Sequence, residues 1–99
     1  MSDTTLSPGT VAPRTVTIVN HLGLHARPAA KIVTTAERFD AETTIAHGTN
    51  VVSALSIMGL MMLGAGEGQA VTLRAHGPQA AEALDALAAL IADGFGERD

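Results

Sequence analysis

The run Asn20-His21-Leu22-Gly23-Leu24-His25-Ala26-Arg27-Pro28-Ala29-Ala30 sets one imidazole, His25, between a glycine-broken loop and a segment that reads as helix, with an arginine two positions on. Pro28 suits the first turn of that helix, where its missing N–H is not needed and its φ is already helical. The first amides of a helix lack internal partners and its dipole leaves partial positive charge there. A phosphoryl group on the His25 ring would therefore meet ready donors. Ala26, where a capping side chain would often stand, has no acceptor to occupy those amides. A neutral imidazole is the nucleophile such chemistry needs. An exposed ion pair with Arg27 is worth only ~0.2–1 kcal/mol, against ~1.5–3 kcal/mol for a hydrogen bond to a charged group. Backbone donors at Ala26, Arg27 or Ala29 are thus expected to dominate.

Ser56 precedes Ile57-Met58-Gly59-Leu60-Met61-Met62-Leu63-Gly64 and reads as the N-cap of a short helix, a role worth ~1 kcal/mol and sufficient reason for a serine. Leu60 and Leu63 form an inward pair, while Ile57, Met58 and Met61 make a second stripe that a two-turn helix on an open sheet has no room to bury. With Ala26 and Ala30 from the first helix, these three are predicted to form a docking patch beside His25. His21 and His25 stand four apart, a metal-ligand spacing on a helix, but Gly23 breaks that geometry and no third ligand follows. No metal is expected. His47 and His76 read as surface or strand-end residues. The glycines between 64 and 68 serve turns, since no GxxxxGK[ST] pattern follows them, and no cofactor is expected.

The elements that must position these groups are legible in the periodicity. Thr15-Val16-Thr17-Ile18 alternates as a half-buried strand. Ala29, Ile32, Val33 and Ala36 mark one face of a helix running to about Arg38. Residues 41–53, interrupted at Gly48, Thr49 and Asn50, read as two short strands joined by a turn. The Ser56 helix runs through Leu63 and ends at Gly64. Ala70 to Ala75 alternates as a fourth strand, and Gly77-Pro78 opens a last helix, with Leu84, Leu87, Ala88 and Ile91 on one face and Gly94 as its stop. The order βαββαβα in so short a chain favours an antiparallel or mixed sheet with helices on one face, an open-faced α/β sandwich.

At 99 residues, 46% of them hydrophobic and 16% charged, the chain has length for one core and apolar material to fill it. Residues 1–13 read as a flexible leader and 14–99 as the domain. The net charge of −4 and the near absence of aromatic side chains argue against nucleic-acid binding. Positive charge gathers in one segment: residues 1–36 hold Arg14, Arg27 and Lys31 against Asp3 alone, whereas residues 37–99 hold three arginines against nine carboxylates. No cysteine is present, which removes disulfides and thiolate chemistry. The first residues lack a secretory signal and no apolar run reaches the ~20 residues of a membrane span. A cytoplasmic, monomeric protein without membrane insertion is expected.

Gly23-Leu24-His25-Ala26-Arg27-Pro28-Ala29, together with Ser56 to Gly64, resembles the HPr family of phosphocarrier proteins of the bacterial phosphotransferase system. The resemblance covers residues 15 to about 95. It implies a four-stranded antiparallel sheet with three helices on one face. It also implies that His25 accepts a phosphoryl group on Nδ1 from enzyme I, itself charged by phosphoenolpyruvate, and passes it to an EIIA-type acceptor. Arg27 would help bind that group. Ser56 matches the position phosphorylated by HPr kinase/phosphorylase in lineages that have that enzyme. Phe39-Asp40-Ala41-Glu42 and the stretch from Gly77-Pro78-Gln79 to Gly94-Phe95 look most like the nitrogen-related branch, whose output is regulation rather than sugar uptake. Leu55, where many members carry lysine, and Leu22, often polar, depart from the common pattern and bear on partner choice. Two other readings stand beside the carrier: a regulatory module acting by docking without phosphoryl transfer, against which His25 and Arg27 speak, and a small-ligand-binding α/β domain. Phosphorylation by enzyme I separates the carrier from both.

Overall fold

The computed structural model describes residues 11–97. Its elements run β1 (Arg14–Thr17), α1 (Ala26–Ala36), β2 (Glu42–His47), β3 (Asn50–Ser53), α2 (Ile57–Met62), β4 (Ala70–His76) and α3 (Ala80–Ala92). The strands form one sheet in the order β1-β4-β2-β3, and every neighbouring pair is antiparallel. The four-stranded antiparallel sheet and three helices match the expected architecture.

Alternation decides which side of the sheet is covered. In β4, Val71, Leu73 and Ala75 are buried while Ala70, Arg74 and His76 are exposed. Register carries the apolar set across the sheet: Val16 lies opposite Val71, Leu73 opposite Ile45, and Ile45 opposite Val52. The helices lay their apolar stripes on this face. Ala29, Ile32 and Ala36 of α1, Leu60 of α2, and Leu84, Leu87, Ala88 and Ile91 of α3 are buried, as periodicity required. Val33 is only partly buried and packs at the edge of that core.

Boundaries moved by one or two residues where hydrogen bonds, not periodicity, set the end. The first strand begins one residue early, at Arg14, and Ile18 lies just beyond it, fully buried, with its amide on the Gln69 carbonyl at 2.8 Å. The first helix stops at Ala36, because the Arg38 and Phe39 amides bond back only three residues, to Thr35 and Ala36, which tightens the chain into a turn. Gly77 and Pro78 form the turn before α3 rather than its start, and Gln79 is the N-cap. Of the predicted leader, residues 1–10 lie outside the described residues, while Val11 is half-buried against the core.

Candidate functional site

His25, not Ala26, is the N-cap of α1: its backbone is extended (φ −78°, ψ −173°), Ala26 is already helical, and the imidazole makes no cap bond to the helix. The free amides at this end can be counted. The Ala29 N–H bonds to the His25 carbonyl at 3.0 Å, which removes one of the three expected donors. Pro28, buried in the first turn, has no N–H to offer. Among the described residues, the donors left open are Ala26 and Arg27, consecutive amides directly after the imidazole. The Arg27 side chain is exposed and lines a groove with Ala30 and Lys31, whereas His25 lines a different depression, with Leu22, Leu24, Met61 and the Gly64–Gly66 backbone. The structure therefore brings Met61 and Leu22 to the histidine, while Arg27 lines a separate groove.

Two site residues escaped the sequence reading. Nε2 of His25 lies 3.1 Å from Oε2 of Glu97, a carboxylate 13% exposed. Its other oxygen accepts from Nδ2 of Asn20 at 3.1 Å, and the same Nδ2 donates to the Gly23 carbonyl at 2.8 Å. Asn20 is one of two buried polar residues among those described; its Nδ2 makes both bonds, while its buried Oδ1 has no partner among the described residues. The available signal was Gly94-Phe95-Gly96. All three residues take left-handed backbone (φ 65°, 60° and 72°), and this hook turns the chain after α3 back towards His25. His21 stands apart from this cluster, its Nδ1 facing Glu67 at 3.4 Å.

Ser56 caps α2 as expected, its Oγ accepting from the Gly59 amide at 3.0 Å. Leu60 and Leu63 are buried, whereas Ile57, Met58 and Met61 are 42%, 71% and 45% exposed, so the second stripe does face solvent. Ala30 is half-buried on α1, and Ala26 is exposed. The apolar surface is larger than predicted, for Leu22, Leu55 and Met62 are also exposed. His47 ends β2, with Nδ1 against the Leu63 carbonyl at 2.9 Å, and His76 ends β4. Among the described residues no helix is long and apolar enough to cross a membrane.

A histidine at a helix start, two open amides beside it and a capped second helix with an exposed apolar stripe together constrain the family. The family profile PTS-HPr, described as "PTS HPr component phosphorylation site", matches residues 12–93. The chain belongs to the HPr family. Among curated HPr-family relatives, the phosphocarrier protein HPr of Cupriavidus necator is 51% identical over 84 residues, covering 85% of this chain and 94% of that protein. The phosphocarrier protein NPr of Shewanella violacea is 50% identical, covering 85% and 92%. The crystal structure of HPr-C-His from Thermoanaerobacter tengcongensis superposes with a TM-score of 0.84 at 43% identity, covering 90% of this chain and all of that one. As an HPr-family protein the chain is a phosphocarrier of the phosphotransferase system, a carrier rather than an enzyme. The NPr relatives agree with the nitrogen-related resemblance, and the two segments that carried it touch. The Asp40 amide donates to Oε1 of Gln79 at 2.7 Å, and the Gln79 amide to the Asp40 carbonyl at 3.0 Å.

Proposed function

We propose that this HPr-family chain accepts a phosphoryl group on Nδ1 of His25 from enzyme I, itself charged by phosphoenolpyruvate, and hands it to an EIIA-type acceptor in the cytoplasm. The observation that carries this reading is the junction itself: an imidazole at the cap of α1, followed by two amides, Ala26 and Arg27, that have no partner among the described residues. A bound phosphate, mostly dianionic near pH 7, gains from those donors and from the helix dipole. Arg27 supplies charge from an exposed position and so contributes less than the amides. The exposed stripe of Ile57, Met58 and Met61, with Ala26 and Ala30, forms the face that meets both partners. Leu22 and Leu55 extend it with apolar surface, which favours partners carrying apolar contacts there.

Incubation with enzyme I and phosphoenolpyruvate tests the assignment. The native chain and Arg27→Ala gain an acid-labile phosphoryl group, Arg27→Ala more slowly or to a lower extent, and His25→Ala gains none. Acid-labile label on His25→Ala would end the proposal. Ser56 is the second site of the reading. Its phosphorylation by a kinase of the HPr kinase/phosphorylase type adds charge beside the docking stripe and weakens binding to enzyme I. Equal affinity of both forms in a titration would rule this out.

A further inference from the structure

An imidazole has two nitrogens, and the fold commits one of them. Nε2 of His25 faces Oε2 of Glu97 at 3.1 Å. A carboxylate only accepts, so in the neutral ring this contact assigns the hydrogen to Nε2 and the lone pair to Nδ1. Glu97 is not a wandering terminal side chain. Its Oε1 is held by Asn20, which is 2% exposed and whose same amide nitrogen is anchored on the Gly23 carbonyl in the loop leading to His25. The backbone that delivers Glu97 is fixed as well. Phe95 takes a left-handed conformation (φ 60°) that a side-chain-bearing residue rarely adopts, its ring is 1% exposed, and its carbonyl accepts from Lys31 Nζ of α1. Such an outlier persists only where the surrounding packing over-determines it, and here it aims a carboxylate at the reactive ring.

We infer that Glu97, clamped by Asn20, is a positioning residue that holds His25 in the Nε2–H tautomer and balances the positive charge the ring acquires when Nδ1 bonds phosphorus. The inference rests on His25 being the phosphoryl acceptor. In the step, the Nδ1 lone pair forms the new N–P bond while the donor's bond to phosphorus breaks and its electron pair returns to the donor. No proton moves: His25 keeps its Nε2–H, and the ring becomes cationic beside the Glu97 carboxylate. Release to the acceptor is the reverse, and the neutral Nε2–H ring is restored ready for the next transfer. Loss of the carboxylate partner of a metal-bound histidine costs about 10–100-fold, and a comparable loss is expected here.

The test uses the full chain labelled with nitrogen-15. Two-bond ring correlations read the tautomer of neutral His25 directly, without any phosphoryl transfer. The native ring shows Nε2–H, Glu97→Ala shows a mixture, and Glu97→Gln, whose amide oxygen still accepts, keeps Nε2–H. Asn20→Ala, which frees Glu97, also gives a mixture. Transfer from phosphorylated enzyme I slows at least about tenfold in Glu97→Ala and by an intermediate factor in Glu97→Gln, which keeps the orientation but not the charge. A native tautomer ratio in Glu97→Ala overturns the inference, as does a shifted ratio with native transfer rate. If the native chain takes no phosphoryl group on His25, the proposed function falls, while the tautomer assignment still stands or falls by the ring correlations.

Discussion

Gly23 and Gly48 share a left-handed φ, 64° and 61°, and differ in what surrounds them, so alanine at each position separates strain from crowding. At Gly48, in the β2–β3 turn, an added Cβ meets nothing within 4 Å among the described residues. The only cost is the left-handed backbone, about 1–2 kcal/mol. At Gly23 the same Cβ would stand 2.5 Å from the Ala65 carbonyl oxygen and 2.8 Å from the Gly66 Cα. Both are backbone atoms and have no rotamer to move into, so the two loops must part. Parting breaks the bond from the Leu24 amide to the Ala65 carbonyl (3.2 Å), worth about 0.5–1.5 kcal/mol net. It also strains a packed site, at about 1–3 kcal/mol. Gly23→Ala is therefore expected to cost about 3–6 kcal/mol, a large share of the ~5–15 kcal/mol typical of a domain. Because Gly23 also anchors Asn20, phosphoryl uptake at His25 should fall with it. Urea unfolding midpoints of the two variants, compared at a common slope, measure the difference. Agreement of Gly23→Ala and Gly48→Ala within ~0.5 kcal/mol would refute the claim that loop contact, and not φ alone, makes Gly23 a glycine.

Removing the cap in Ser56→Ala should lower stability by ~1 kcal/mol, a melting shift of roughly 4–8 °C, and Ser56→Thr should restore most of it; an unchanged melting temperature would contradict the cap. Leu87→Ala empties a fully buried position under the sheet and should cost about 2–5 kcal/mol by denaturant unfolding. Met58→Glu, at a side chain 71% exposed, should leave stability within ~0.5 kcal/mol but weaken binding to enzyme I by about tenfold or more, read by titration calorimetry. Normal affinity would remove Met58 from the docking face.

The order of elements, the buried stripes of α1 and α3, the Ser56 cap and the histidine at a helix start were all legible in the chain, because each is written in residues within one or two turns of each other. Period-two and period-3.6 patterns, a proline at a first turn and a serine before an apolar run are local signals, and local hydrogen bonding obeys them. Sequence also showed that α2 has one apolar stripe too many. The closing of the site belongs to tertiary structure. Glu97 reaches His25 across 72 positions only because α3 packs on the sheet and the Gly94–Gly96 hook turns the chain back, and no local pattern encodes that approach. The same holds for the amide count at α1, settled once the extended backbone of His25 made it the cap and gave its carbonyl to Ala29. How far the exposed surface spreads to Leu22, Leu55 and Met62 was likewise decided by which faces the other elements cover. Periodicity specifies the faces an element can bury, whereas distances between groups far apart in sequence follow from how those faces pack.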